Sequence, residues 1–240
     1  MKLTQKVIFN VLAKDLNNAK DIVQIAGDRV LIGLLVKNYA NEKEAVKDVQ
    51  LYKEAGIPVS IGLGAGDPAQ WKKVADVAAD AHPDHINQVF PAAGYTLGRM
   101  VSLKAAPIVN ALVEPSGEVG YVYIGTGPNS AHKKEKVSCE LAATMLAEIG
   151  VPSVKFYPIG GDSCLDEVAA MVKATVEAGL EIFEPTGGIT VNNVKKIVDC
   201  CLENGAKQVI PHLYTSIIDE ESGETSLENI QQLLDFGYEE

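Results

Sequence analysis

Short apolar runs and amphipathic helical patterns alternate along this chain from one end to the other, and few folds accept that order. Strands are expected at 7–12, 30–35, 58–63, 85–90, 107–113, 153–158, 180–184 and 208–214, from their aliphatic and β-branched content and their length. Helical periodicity is expected between and after them, at 16–26, 41–55, 68–81, 95–103, 134–149, 165–178, 191–202 and 227–234. Gly27, Gly56, Gly150 and Gly179 each stop a helix, and the first and second pairs are both 29 residues apart. That is the length of one βα unit. Eight such units in 240 residues predict a (β/α)8 TIM barrel, in a single domain spanning 1–240. An open doubly wound sheet has the same alternation and is the competing architecture. The stretch 115–133 interrupts the rhythm with a turn, an extra β-like run at 119–124 and a glycine-containing loop, and reads as an insertion.

Charge and composition exclude several partners. A net charge of −11 argues against nucleic acid and anionic membrane surfaces, which both demand basic patches. No apolar run is long enough for a membrane span, and the first residues enter a strand without a signal-peptide cleavage site. Cys139, Cys164, Cys200 and Cys201 lack CxxC spacing and suggest reduced thiols in a cytoplasmic protein. His82, His85, His132 and His212 form no HxH or HExxH pair, so no transition-metal site is expected.

One strand contains a lysine where none is comfortable. Lys155 lies between Val154 and Phe156, with Tyr157 on its own side of the strand and Gly160-Gly161 opening the loop beyond. Desolvation there lowers proton affinity and makes an amine nucleophile; an edge-strand lysine reaching water is the plainer alternative. In a barrel the chemistry sits at the C-terminal ends of the strands. Those ends carry Lys37, Gly64-Ala65-Gly66-Asp67, Glu114, Gly160-Gly161, Thr186-Gly187-Gly188 and His212. Gly187 and Gly188 precede a helix, so their backbone N–H groups suit an anion, although a tight turn needs the same residues. The sequence Gly62-Leu63-Gly64-Ala65-Gly66-Asp67 fails the GxGxxG pattern for dinucleotides.

Val154-Lys155-Phe156-Tyr157-Pro158, followed by Pro185-Thr186-Gly187-Gly188-Ile189 and preceded by Gly64-Ala65-Gly66, resembles the signature of class I 2-keto-3-deoxy-6-phosphogluconate (KDPG) and 4-hydroxy-2-oxoglutarate aldolases. The whole chain is similar to their longer bacterial branch, the KDGP aldolases. The resemblance implies a barrel and a Schiff-base lysine at Lys155. It implies neither metal nor other cofactor, a phosphate held by Gly187 and Gly188, and a homo-oligomer, commonly a trimer. The small-molecule partner would be a 2-keto-3-deoxy acid, phosphorylated, cleaved to pyruvate and an aldehyde.

The chain departs from that pattern at several points. The strand at 30–35 has no carboxylate where the family has its acid/base glutamate, and Lys37 stands nearest to its carboxylate-binding arginine. Asp67 replaces a threonine, and His212-Leu213-Tyr214-Thr215-Ser216 replaces a glycine-rich loop. Glu184 alternates with Thr186 and should point into the barrel beside Lys155, as proton shuttle or as a structural ion-pair partner. Glu114 and Asp67 are the next candidates. Lys37, Gly64, Gly66 and Asp67 would hold the pyruvyl carboxylate, Tyr157 would wall the pocket, and His212 would either touch phosphate or cap the barrel. Two other functions use the same residues: a phosphate-binding epimerase or isomerase with Glu184 and His212 as acid and base, and a non-catalytic sugar-phosphate-binding protein.

Overall fold

A computed structural model of the chain describes residues 3–238. In chain order the first half contains β1 (Phe9–Leu12), α1 (Leu16–Ala26), β2 (Val30–Leu35), α2 (Glu42–Glu54), β3 (Val59–Gly62), α3 (Trp71–Ala81), β4 (His85–Val89) and α4 (Phe90–Ser102). Then come β5 (Ile108–Pro115), β6 (Tyr121–Tyr123), β7 (Lys136–Ser138), α5 (Cys139–Ile149), β8 (Ser153–Phe156) and α6 (Leu165–Glu177). The last elements are β9 (Ile182–Pro185), α7 (Val191–Glu203), β10 (Gln208–Val209), β11 (His212–Leu213) and α8 (Leu227–Leu234).

The sheet runs parallel from β1 through β2, β3, β4, β5 and β8 to β9. It closes through 208–213, the last strand, which is split in two. Its first half, β10, pairs with β9, its second half, β11, pairs with β1, and bridges Val7–Val209 and Thr186–His212 complete the ring. The interruption falls at Pro211, which has no N–H to give to a ladder. The barrel expected from the βα spacing is therefore closed, and the open sheet is excluded.

Side-chain alternation stacks the barrel interior in layers. Ile8, Leu31 and Ile210 are fully buried and form an apolar floor with Leu3, Ile108 and Ile182. Asn10, Asn110, Glu184 and His212, each two residues beyond a floor residue, join Ser60, His85 and Ser153 in a layer that is buried and polar throughout. Outside the sheet, one continuous apolar core joins the strands to the helices.

Three local expectations change. Helix α4 starts at Phe90, so Pro91-Ala92-Ala93-Gly94 forms its first turn instead of a loop, and proline tolerates that position because its missing N–H has no intrahelical acceptor there. The helix expected from 134 starts at Cys139, where the Ser138 hydroxyl caps the N–H of Leu141. The residues before it are β7, which pairs antiparallel with β6, and β6 in turn pairs with the end of β5. The insertion is thus a small antiparallel sheet. Its loop is pinned by Thr126, whose hydroxyl donates to the Leu112 carbonyl at 3.0 Å and accepts the Phe90 N–H at 2.9 Å.

Candidate active site

A cavity of about 370 Å³ opens at the C-terminal end of the barrel. Leu12, Leu35, Leu63, Leu112 and Ile189 make much of its wall, and among the described residues Lys155 is its one lining side chain with a positive charge. Lys155 comes from β8, and its ammonium reaches two acceptors: Asn87 Oδ1 at 2.9 Å and His212 Nδ1 at 3.3 Å. The ring of Tyr214 lies 6.0 Å from its nitrogen. Burial lowers its pKa to about 8, against an opposing pull from the charge of Glu184. Roughly a tenth of the lysine is then neutral at pH 7.

Below it, Glu184 accepts from four donors. His85 Nε2 lies 3.0 Å from both of its oxygens, His212 Nε2 at 2.8 Å, Asn110 Nδ2 at 2.7 Å and Ser153 Oγ at 2.5 Å. Burial alone would raise its pKa, but the two imidazoles outweigh burial and hold it well below the usual carboxylate range. His212 is pushed down to about 3 by burial and by the Lys155 ammonium, against the pull of Glu184. It is neutral, with its proton on the Nε2 that faces the carboxylate. Its Nδ1 lone pair faces Lys155.

The ligand atoms of His85, Glu184 and His212 lie within 4.8 Å of one another, close enough to surround one cation. Hydrogen-bond counting assigns them otherwise. Ser60 Oγ accepts from Asn10 at 2.9 Å and Asn87 at 3.1 Å, so its own proton goes to His85 Nδ1 at 2.8 Å. His85 therefore also turns an N–H toward Glu184. The three groups form a hydrogen-bonded cluster in which each Nε2 faces the carboxylate.

Of the residues expected in the site, Lys155, Gly64, Gly66, Tyr157, Thr186, Gly187, Gly188 and His212 line the cavity. Glu184 lies beneath it and makes no direct bond to Lys155; His212 stands between them, as does the pair Asn87–Asn110. Lys37 and Asp67 pair with each other at 3.2 Å and are not among the residues that line the cavity. Asp67 also caps the N–H of Ala69, which with Lys37 holds its carboxyl below its ordinary value. Glu114 is bound to Lys134 of the insertion at 2.5 Å. Gly160 and Gly161 are likewise outside the cavity. Their loop lies against the one after β9, with the Gly161 N–H donating to the Gly187 carbonyl at 2.8 Å.

Gly188 shows what that contact requires. It has φ +69°, and a Cβ there would lie 2.5 Å from Gly161 N and 2.9 Å from Gly160 C, both backbone atoms. Gly188→Ala is expected to displace the loop, costing about 2 kcal/mol or more in urea unfolding, and to weaken substrate binding at least tenfold. The wall opposite is the turn Gly64–Asp67, closed by a 3.0 Å bond and with positive φ at both Ala65 and Gly66. The Tyr157 ring lies between the two loops, near 3 Å from where Cβ atoms on Gly66 and Gly187 would be.

Asn87, Asn110, Ser60, Ser153, His85 and Tyr214 were not expected in the site. Asn87, Asn110, Ser60, Ser153 and His85 are polar residues within buried strands, and that recurrence was the available signal.

The family model described as KDGP aldolase matches residues 3–221. A 2-dehydro-3-deoxy-phosphogluconate aldolase of Salmonella typhimurium is 41% identical over 233 residues, covering 96% of this chain and 94% of that protein. Among solved structures, the thiamine phosphate pyrophosphorylase of Pyrococcus furiosus superposes with a TM-score of 0.57 at 13% identity, over 98% of this chain and 97% of the other. A mutant tryptophan synthase α-subunit of the same organism gives 0.59 at 12% identity, over 96% and 97%. The carboxyl transferase domain of Rhizobium etli pyruvate carboxylase gives 0.58 at 14%, with 98% of this chain spanning 45% of that one. At such identities the three structures share the barrel alone. The family match and the Salmonella relative go further, and the chain belongs to the KDGP aldolase family.

Proposed function

We propose that the chain is a class I aldolase in which Lys155 forms a Schiff base with the C2 carbonyl of a 2-keto-3-deoxy sugar acid, cleaving it to pyruvate and an aldehyde. The observation that carries this reading is the Lys155 ammonium at the floor of a largely apolar cavity, with its proton affinity lowered toward neutrality. The neutral amine adds to C2, water leaves, and the iminium cation takes up the electron pair of the C3–C4 bond as the aldehyde departs. Protonation of the enamine and hydrolysis release pyruvate. Glu184 serves this chemistry through the imidazole it holds.

The substrate is phosphorylated in this reading. Gly187, Gly188, Ile189 and Thr190, with Thr215 and Ser216, line one end of the cavity at the N-terminus of α7, where backbone N–H groups and the helix dipole favour an anion. The turn Gly64–Gly66 meets the pyruvyl carboxylate. A homo-oligomer is supported by Val119, Tyr121 and Leu141, large apolar side chains exposed around β6 and the start of α5. The four cysteines are unpaired, which favours a reducing, cytoplasmic setting. No helix among the described residues is long and apolar enough to cross a membrane.

Incubation with pyruvate, borohydride reduction and peptide mapping test the assignment. One pyruvyl adduct is expected, on Lys155. Its rate of formation rises with pH and levels off above about 8, because the neutral amine is the nucleophile and raising pH through the pKa populates it. An adduct on another lysine, or none, rejects the reading.

A further inference from the structure

We propose that His212 is the catalytic proton carrier of this site: its Nδ1 takes the proton from the Lys155 amine as that amine adds to the carbonyl, and returns it to the hydroxyl that leaves. The proposal rests on the Schiff-base reading and concerns a residue whose role the fold alone leaves open between phosphate contact and capping.

Among the described residues, two acceptors lie within hydrogen-bond distance of the reacting nitrogen, Asn87 Oδ1 and His212 Nδ1. An amide oxygen is not a base, whereas the imidazole Nδ1 has a basic lone pair that can take a proton transiently from the cationic nitrogen of the adduct, although burial keeps the ring neutral at rest. Asn87 is also fixed in orientation, because its amide N–H groups donate to the Ile61 carbonyl and to Ser60. Glu184, the nearest carboxylate, has no contact with Lys155 and is occupied by four donors. Tyr214 is an unsuitable base, since its hydroxyl points toward the Gly33 side of the barrel and burial and the charge of Glu184 raise its pKa.

The strand order builds the relay. Lys155 on β8 is register partner of Glu184 on β9, and Thr186, two residues beyond, bridges to His212 on β11. The imidazole therefore stands over the carboxylate and beside the amine. The 2.8 Å bond from Nε2 to Glu184 Oε2 fixes the tautomer that leaves Nδ1 basic. The titratable groups facing the ring are Lys155, Glu184, His85 at 6.1 Å between ring centres and Tyr214 at 5.4 Å. The Lys155 charge, which disfavours a second proton on His212, disappears as that proton is transferred.

The step balances within the site. The nitrogen lone pair forms the bond to C2, and the carbonyl π pair moves to oxygen. The N–H proton moves to Nδ1, leaving a cationic imidazole whose Nε2–H still donates to the Glu184 carboxylate. The alkoxide oxygen takes a proton from water to give the carbinolamine, and the hydroxide so formed is neutralised by the proton that the Lys155 ammonium released to solvent on becoming the neutral amine. His212 then passes its proton to that hydroxyl, which leaves as water while the nitrogen lone pair forms the C=N bond.

His212→Asn removes the base and keeps a polar side chain. Single-turnover trapping with pyruvate and borohydride is expected to give the same final adduct on Lys155 at a rate 10²–10⁴-fold slower, on the order of a general acid–base contribution, with kcat reduced in parallel and KM nearly constant. Trapping at the wild-type rate would overturn the role of His212 while leaving the Schiff base intact. Absence of any adduct in the wild-type protein would overturn both. If the variant does not fold, ¹⁵N ring resonances of the unmodified protein decide: a protonated Nε2 and bare Nδ1 at pH 7 support the carrier, and a protonated Nδ1 rules it out.

Discussion

Lys155→Met is expected to lower kcat/KM for cleavage by at least about four orders of magnitude, because the covalent route closes and no other amine among the described residues lines the cavity. Methionine keeps the length of the side chain and lies well among Leu112, Tyr157 and Thr186, which share the wall. The fold should survive. Two stability terms oppose each other: a desolvated ammonium is removed, and His212 Nδ1 loses its donor. Their sum should stay within about 2 kcal/mol of wild type in urea unfolding. A cooperative, stable, inactive Lys155→Met would show that the lysine is kept for chemistry. A variant retaining a tenth of the activity would show that the nucleophile is elsewhere.

Glu184→Ala has the opposite profile, since its expected effect is on the barrel itself. The carboxylate is fully buried and is the shared acceptor of His85, His212, Asn110 and Ser153. Truncation leaves four donors facing a void. Loss of one partner from a buried ionic cluster costs about 3–5 kcal/mol, and the cavity adds to that. Chemical denaturation should therefore show a fall of that size, with activity lost as His212 is freed from its tautomer. A loss under about 1 kcal/mol would mean that the cluster is solvated in solution.

The architecture was legible because helix stops and strand lengths repeat, and because Lys155 is conspicuous between Val154 and Phe156. The polar layer was harder to read. In a sheet covered on both faces, an Asn or Ser at alternate positions looks like a solvent-facing residue; here the opposite side of each strand is packed on helices and the polar side is inside the barrel. Asn87 and Asn110 meet only because β4 and β5 pair in the register that puts them opposite each other. Lys37 lies outside the cavity lining for a local reason. The helical turn Val36–Asn38 carries it to Asp67, and Gly64 lies against its side-chain stem. Gly160-Gly161 was readable as a loop, but its tight approach to Gly187-Gly188 depends on the turn geometry of both.

The split last strand has a further consequence. Residues 208–213 are the seam of the barrel, stitched to β9 on one side and β1 on the other by a few main-chain bonds, with proline in the middle. The same seam carries His212. Local opening, which favours short and sparsely bonded segments, would thus pull the imidazole from both Lys155 and Glu184 before the helices or the other strands let go. Heat or mild denaturant should silence this barrel while most of it still stands, and catalytic turnover becomes the most sensitive gauge of whether the ring is shut.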